Sequence, residues 1–299
     1  MIQPVEMQTT LPITLHGGAS TTTTEVWEML VACRNGDLDR VTRLISARPE
    51  LSTCQFNYTP PLHVAIREGH LSLVRLLVDH LALDPKYKSY PFGDSFLTLA
   101  KDRGYDQIVR FLEDALARPE LTRKWVETGH IDFKQDEQQQ QFDKAVHAGN
   151  RQDVERDWKI LELLIQCGAT VPALSKWGRF YYFRHDDIAA FLLAHEMSAS
   201  HMTWHNVTLL HDMAQSGDVA KARLLLDHGA DIDAIDDEYQ STPLGMAARW
   251  GQRKMAAFLL ARAADPNKAG ALWSTPLAWA RTKGHADIVE DLIAAGAAA

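Results

Sequence analysis

The stretch Thr242-Pro243-Leu244-Gly245-Met246-Ala247-Ala248, closed by Gly251, returns 33 residues later as Thr275-Pro276-Leu277-Ala278-Trp279-Ala280, closed by Gly284. Working outward, Thr208-Leu209-Leu210-His211 leads to Gly217 and Pro61-Leu62-His63-Val64-Ala65 leads to Gly69, while weaker copies end at Gly36, Gly104 and Gly149. The glycine steps from 36 to 69, 69 to 104, 217 to 251 and 251 to 284 are 33, 35, 34 and 33 residues. A fixed period of this size marks a chain of stacked supersecondary units.

Each copy carries the chemistry of a short helix. A threonine hydroxyl can accept an exposed N–H of the first turn, and proline suits the next position, where a backbone donor would have no partner. Glycine then accepts the left-handed backbone that ends the helix. A second helix follows, with apolar triplets such as Leu76-Leu77-Val78 and Leu224-Leu225-Leu226. Neither helix can bury its apolar stripe alone, so neighbouring pairs must stack around a shared core.

The pattern resembles the ankyrin repeat family, whose T-P-L-H-x-A signature recurs at this period. The resemblance covers roughly residues 25 to 118 and 138 to 299. It implies an all-α ankyrin-repeat solenoid of about eight helix-turn-helix units with short β-hairpin finger loops. The expected division is a flexible tail over 1–24, units 1–3 over 25–118, an insertion or linker over 119–139, and units 4–8 over 140–299. Unit 5 is degenerate, with Tyr181-Tyr182-Phe183-Arg184 where a glycine should end its first helix. Unit 8 reads as a cap, because Asp291 stands where its neighbours are apolar. The segment 119–139 is open to two readings, a surface loop or a hinge between two arrays.

Composition limits the function classes. With 46% hydrophobic and 23% charged residues the chain is too apolar for disorder, and no apolar run reaches the length of a membrane span. A net charge of -8 without a basic cluster disfavours nucleic acid. The polar, threonine-rich start lacks the pattern of a secretion signal. Three cysteines, Cys33, Cys54 and Cys167, form neither an even framework nor a CxxC pair, which fits a reducing cytoplasm. No phosphate loop or nucleophile elbow is present.

The resemblance implies that binding residues lie at the finger tips and at the two positions before each helix-ending glycine. Arg67, His147, Arg249 and Trp250 hold the latter positions. Trp204, His205, Glu238, Tyr239, Leu272 and Trp273 hold finger positions. Tryptophan, tyrosine and arginine often dominate binding energy at interfaces, yet a finger aromatic can equally pack on the next finger. For His63 and His211, fourth in the signature, the resemblance implies a structural role through both ring nitrogens. The acidic run Asp233 to Glu238 reads as a solvated finger. His147, His185, Asp186, His201 and His205 could instead assemble a metal or acid/base cluster, though no HExxH spacing supports it.

The leading expectation is therefore a non-catalytic protein-protein interaction scaffold that binds another protein, with no cofactor, no metal, no nucleic acid and no membrane. The alternative is a small-molecule or metal site, with or without a catalytic role, in units 4–6. A third reading is a structural spacer in a larger assembly.

Overall fold

A computed structural model describes residues 3–15, 18–89, 92–122, 163, 189–190, 193–194, 198–200 and 205–298. Most of units 4 and 5, and all of 123–162, lie outside the described residues. The chain divides into two compact units, Gln3–Phe133 and one beginning at Lys134, taken here in turn.

The described residues of the first unit form three helix pairs: α2 (Thr23–Asn35) with α3 (Leu38–Ala47), α4 (Pro61–Arg67) with α5 (Leu71–Asp79), and α6 (Phe96–Asp102) with α7 (Asp106–Leu116). Ahead of them, where a flexible tail was expected, stand a helical turn α1 (Val5–Gln8) and a two-stranded hairpin of β1 (Pro12–Thr14) and β2 (Ser20–Thr22), with Pro12 opposite Thr22. The threonines that make this segment polar spend hydroxyls on its backbone. Thr23 Oγ1 donates to Thr9 O at 2.6 Å and accepts from Leu11 N at 3.0 Å, while Thr22 caps α2 through Glu25 N. Met7 is buried, and Arg48 ties the hairpin down through Ser20 O and Glu25.

The second unit repeats the pairing with α8 (Leu209–Ser216) and α9 (Val219–Asp227), α10 (Pro243–Arg249) and α11 (Arg253–Ala261), and α12 (Pro276–Lys283) and α13 (Ala286–Ala294). The side chains of Thr208, Thr242 and Thr275 accept the N–H three residues on, as the signature requires. Successive first helices pack on one another, as do successive second helices. Asp291, read as a solvent-facing cap residue, accepts two hydrogen bonds from Arg253 of the preceding pair, at 2.7 and 3.0 Å.

The helix-ending glycines answer two constraints rather than one. The six among the described residues have positive φ, from 68° at Gly104 to 80° at Gly69. Four of them also lie under a side chain of the following pair. A Cβ added at Gly36, Gly69, Gly217 or Gly251 would stand 2.8, 2.9, 2.5 or 2.7 Å from His70, Tyr105, Gln252 or His285 respectively. Each of these four residues directly follows its own pair's glycine and donates back to a carbonyl of the preceding pair. His70 Nε2 reaches Arg34 O at 3.0 Å, Tyr105 Oη reaches Arg67 O at 3.5 Å, Gln252 Nε2 reaches Gln215 O at 2.9 Å and His285 Nε2 reaches Arg249 O at 3.3 Å. Asp37 and Asp218 occupy the same place in the first described pair of each unit, and cap their own helices instead.

On the second helices a cation–π contact recurs. Arg75 stands over Phe111 and Arg223 over Phe258, at 5.5 and 5.1 Å from the ring centroids.

Candidate partner-binding surface

The loops that precede the first helices are joined by a line of hydrogen bonds that begins at His211. Its Nδ1 accepts from Thr208, and its Nε2 donates to Ser241 O of the next loop at 3.1 Å. Burial pushes the imidazole pKa down to about 4, although the Ser241 carbonyl and the Asp212 charge oppose the shift. The ring is therefore neutral at physiological pH and serves as a strut. One unit on, Gly245 replaces the signature histidine. The space beside it is taken by the Ser241 hydroxyl, which donates to Ser274 O at 3.2 Å and so makes the same loop-to-loop bond. In the first unit His63 Nδ1 donates to the Tyr87 hydroxyl at 3.0 Å, and that hydroxyl donates to Tyr58 O at 3.3 Å.

The acidic run is not a solvated finger throughout. Asp236 is fully buried, because its carboxylate accepts from Tyr239 N at 2.6 Å and Ser241 N at 3.1 Å and so fixes the turn. Glu238 is also buried, at 3% exposure. The turn carries Tyr239 inward to a cluster of rings around one cation. The Arg249 guanidinium lies 4.4 Å from the Tyr239 centroid, 3.9 Å from Trp250 and 5.1 Å from Trp279. Tyr239 meets Trp250 and Trp279 edge-on at 5.9 and 6.0 Å, and Trp273 meets Trp279 edge-on at 5.6 Å. Lys283 Nζ stands 5.6 Å from the Trp279 centroid. Such contacts are worth more when desolvated, about 2 kcal/mol in place of 0.5–1.

The residues expected at the binding positions separate accordingly. Arg67, His205, Glu238, Tyr239 and Arg249 are buried, so their side chains support the loops rather than project from them. Arg67 turns onto Glu68, with Nε and Nη2 at 2.9 and 2.7 Å from Oε1, and the His205 carbonyl accepts from Asp237 N at 2.7 Å. Trp250 and Trp273 are half-buried, and Leu272 is 92% exposed. His147 and Trp204 lie outside the described residues. So do His185, Asp186 and His201 of the proposed cluster, and among the described residues no group of three or more His, Cys, Asp or Glu is placed to hold a metal. Trp279, central to the ring cluster, had no counterpart in the sequence reading. It occupies the variable fifth place of the signature, where Val64 and Met246 stand in other units.

Leu272 sits on a short 3-10 turn, Leu272–Ser274, that is fixed from both sides. Ser274 Oγ donates to Gln240 O at 2.7 Å, Gly270 N donates to the same carbonyl at 2.7 Å, and Ser274 O accepts from Ser241. Elsewhere Cys33 and Cys54 are buried, with thiol pKa values pushed up by desolvation, so neither is an activated nucleophile. No helix among the described residues is long and apolar enough to cross a membrane.

Comparison with known proteins returns the same repeat. A family model of ankyrin repeats, in three copies, matches residues 29–122 and 181–270. Putative glutaminase 2 of Caenorhabditis elegans is 35% identical over 91 residues, 30% of this chain and 15% of that protein. The human ARF GTPase-activating protein GIT1 is 33% identical over 84 residues, 28% of this chain and 11% of that protein, and mouse GIT2 is 34% identical over a stretch of the same length. The chain thus spans about 11–15% of the length of these relatives.

Proposed function

The chain belongs to the ankyrin repeat family, and from that premise we propose that it is a non-catalytic scaffold that holds a partner protein through its finger loops and the ends of its first helices. We take units 4 and 5 as continuing the repeat, to about eight in all. The observation that carries the reading is Leu272, a large apolar side chain 92% exposed on a turn braced by three hydrogen bonds. Holding such a residue rigidly in water has no folding benefit, and a pre-organised apolar anchor lowers the ordering cost of association. Trp273, next to it in the chain, is a half-buried ring packed on Trp279, and Trp250 is a second half-buried ring on the same arginine cluster.

Affinity capture from the native cell extract tests this, using the whole chain and its Leu272→Ala and Trp273→Ala double variant. The reading expects one or more proteins retained by the parent and lost from the variant, which still unfolds cooperatively with native helical content. A capture profile identical for both chains would refute the assignment of this surface.

A further inference from the structure

We propose that the cleft between α5 and α7, on the second helices of the first unit, binds a phosphate monoester. The site lies apart from the finger loops and the first-helix ends, so it can stand or fall without the scaffold reading.

The repeat itself brings two guanidiniums to this cleft. Arg75 and Arg110 hold the same place in successive pairs, six residues after Gly69 and six after Gly104. Elsewhere among the described pairs that place holds Thr42, Arg223, Ala257 and Glu290, so α5 and α7 are the neighbours that both carry arginine there. The helix period supplies the rest of the wall. Gln107, Arg110, Phe111 and Asp114 follow one another at offsets of three, four and seven, which is a single stripe of α7. With Arg75 of α5 they line a cleft of about 370 Å³.

The charge in the cleft is unbalanced. Arg75 and Arg110 are exposed, and neither makes an ion pair among the described residues. The acids of α7 are engaged by other cations: Glu113 pairs with Lys101 at 2.9 Å, and the Asp114 carboxylate is held by Arg118, one turn on. Asp79 and Asp106 stand at the ends of their helices, outside the lining. One of the two arginines is also held in place. The Arg75 guanidinium lies over the half-buried Phe111 ring, 5.5 Å from its centroid. A long side chain fixed in this way loses less freedom when a ligand arrives.

The chemistry that matches is a monoester. It carries a charge of about -1.5 to -2 at pH 7 and three acceptor oxygens, enough to accept from two guanidinium forks. A carboxylate brings one charge and two oxygens, and a nucleic-acid phosphodiester brings one charge per phosphate, so each leaves one arginine unmatched. Gln107 adds a neutral amide donor to the same wall.

The test uses the full chain and four labelled probes read by fluorescence anisotropy: a short Gly-Ser peptide with one phosphoserine, ribose 5-phosphate, the same peptide with Glu for the phosphoserine, and a short oligothymidylate. Binding of either monoester supports the site, and the tighter of the two tells a phosphorylated protein segment from a free sugar phosphate. Arg75→Gln with Arg110→Gln should weaken that binding by about tenfold or more, since each charged hydrogen bond is worth about 1.5–3 kcal/mol. Asp114→Asn removes the acid of the lining and should tighten it, a gain that misfolding cannot imitate. Failure of both monoesters to bind overturns the proposal. So does equal or tighter binding of the Glu peptide or the oligothymidylate, or an affinity that the arginine and Asp114 substitutions leave unchanged.

Discussion

Gly251 and Gly284 end equivalent helices with nearly the same backbone, φ 69° and 78°, yet differ in what lies above them. A Cβ at Gly251 would come within 2.7 Å of the His285 ring, whereas at Gly284 it would meet nothing within 4 Å. Gly284→Ala therefore reports the left-handed strain alone, about 1 kcal/mol at the lower end of the usual cost. Gly251→Ala adds the displacement of His285 and loss of its bond to Arg249 O, 3.3 Å long. A bond of that kind is worth about 1 kcal/mol net, so the total is about 2 kcal/mol. Urea unfolding of the full chain, followed by tryptophan fluorescence, measures both variants and the double variant with His285→Ala. The penalty of Gly251→Ala should fall to that of Gly284→Ala once His285 is gone. Equal penalties for the two glycines in the parent background, or an unchanged Gly251 penalty without His285, would refute the claim that neighbouring pairs are locked through these side chains.

Leu81 and Ala263 adopt φ 59° and 65° where Gly229 and Gly296 end the second helices of other pairs. Leu81→Gly and Ala263→Gly should therefore each raise stability, by about 1 kcal/mol, and a thermal melt that falls instead would contradict this. His211 supplies a pH dependence. Its folded pKa of about 4 lies below its ordinary 6.5, so the unfolded chain binds the extra proton and stability drops as pH falls from 6.5 toward 4, by up to about 3 kcal/mol. The groups near the imidazole are the Asp212, Asp231 and Asp236 carboxylates. His211→Gln should flatten that part of the pH profile, and a slope unchanged by the substitution would show that another group is responsible. Tyr239→Ala should cost about 3–5 kcal/mol as a buried aromatic deletion, while Leu272→Ala should leave the urea midpoint unchanged. The reverse ranking would invert the division into support and contact.

What the sequence made legible was whatever depends on neighbours along the chain. Thr242 and Thr275 announce helix starts because the cap they provide spans three residues, and Gly217 and Gly284 announce stops through their own backbone. The second reason for Gly251, the ring of His285, depends on a residue 34 positions on, where periodicity gives the spacing but not which side chain turns back. The threonine-rich segment before residue 25 read as a flexible tail because its bonds to Thr9 O and from Glu25 N are invisible in composition. Burial of Tyr239 follows from Asp236 bending the finger, and an acidic run gives no hint of a carboxylate that accepts from backbone N–H groups. Of the candidate surface, Leu272, Trp273, Trp250 and Arg249 were marked by position, whereas Trp279 escaped because it fills the signature's unrestricted place.

Hydrogen–deuterium exchange of the full chain, with and without the protein it captures, tests the scaffold claim most directly. The account predicts new protection in residues 268–275 and at the end of α12, with the second helices α9 and α11 unchanged. Protection confined to those second helices, or spread evenly over the chain, would contradict it.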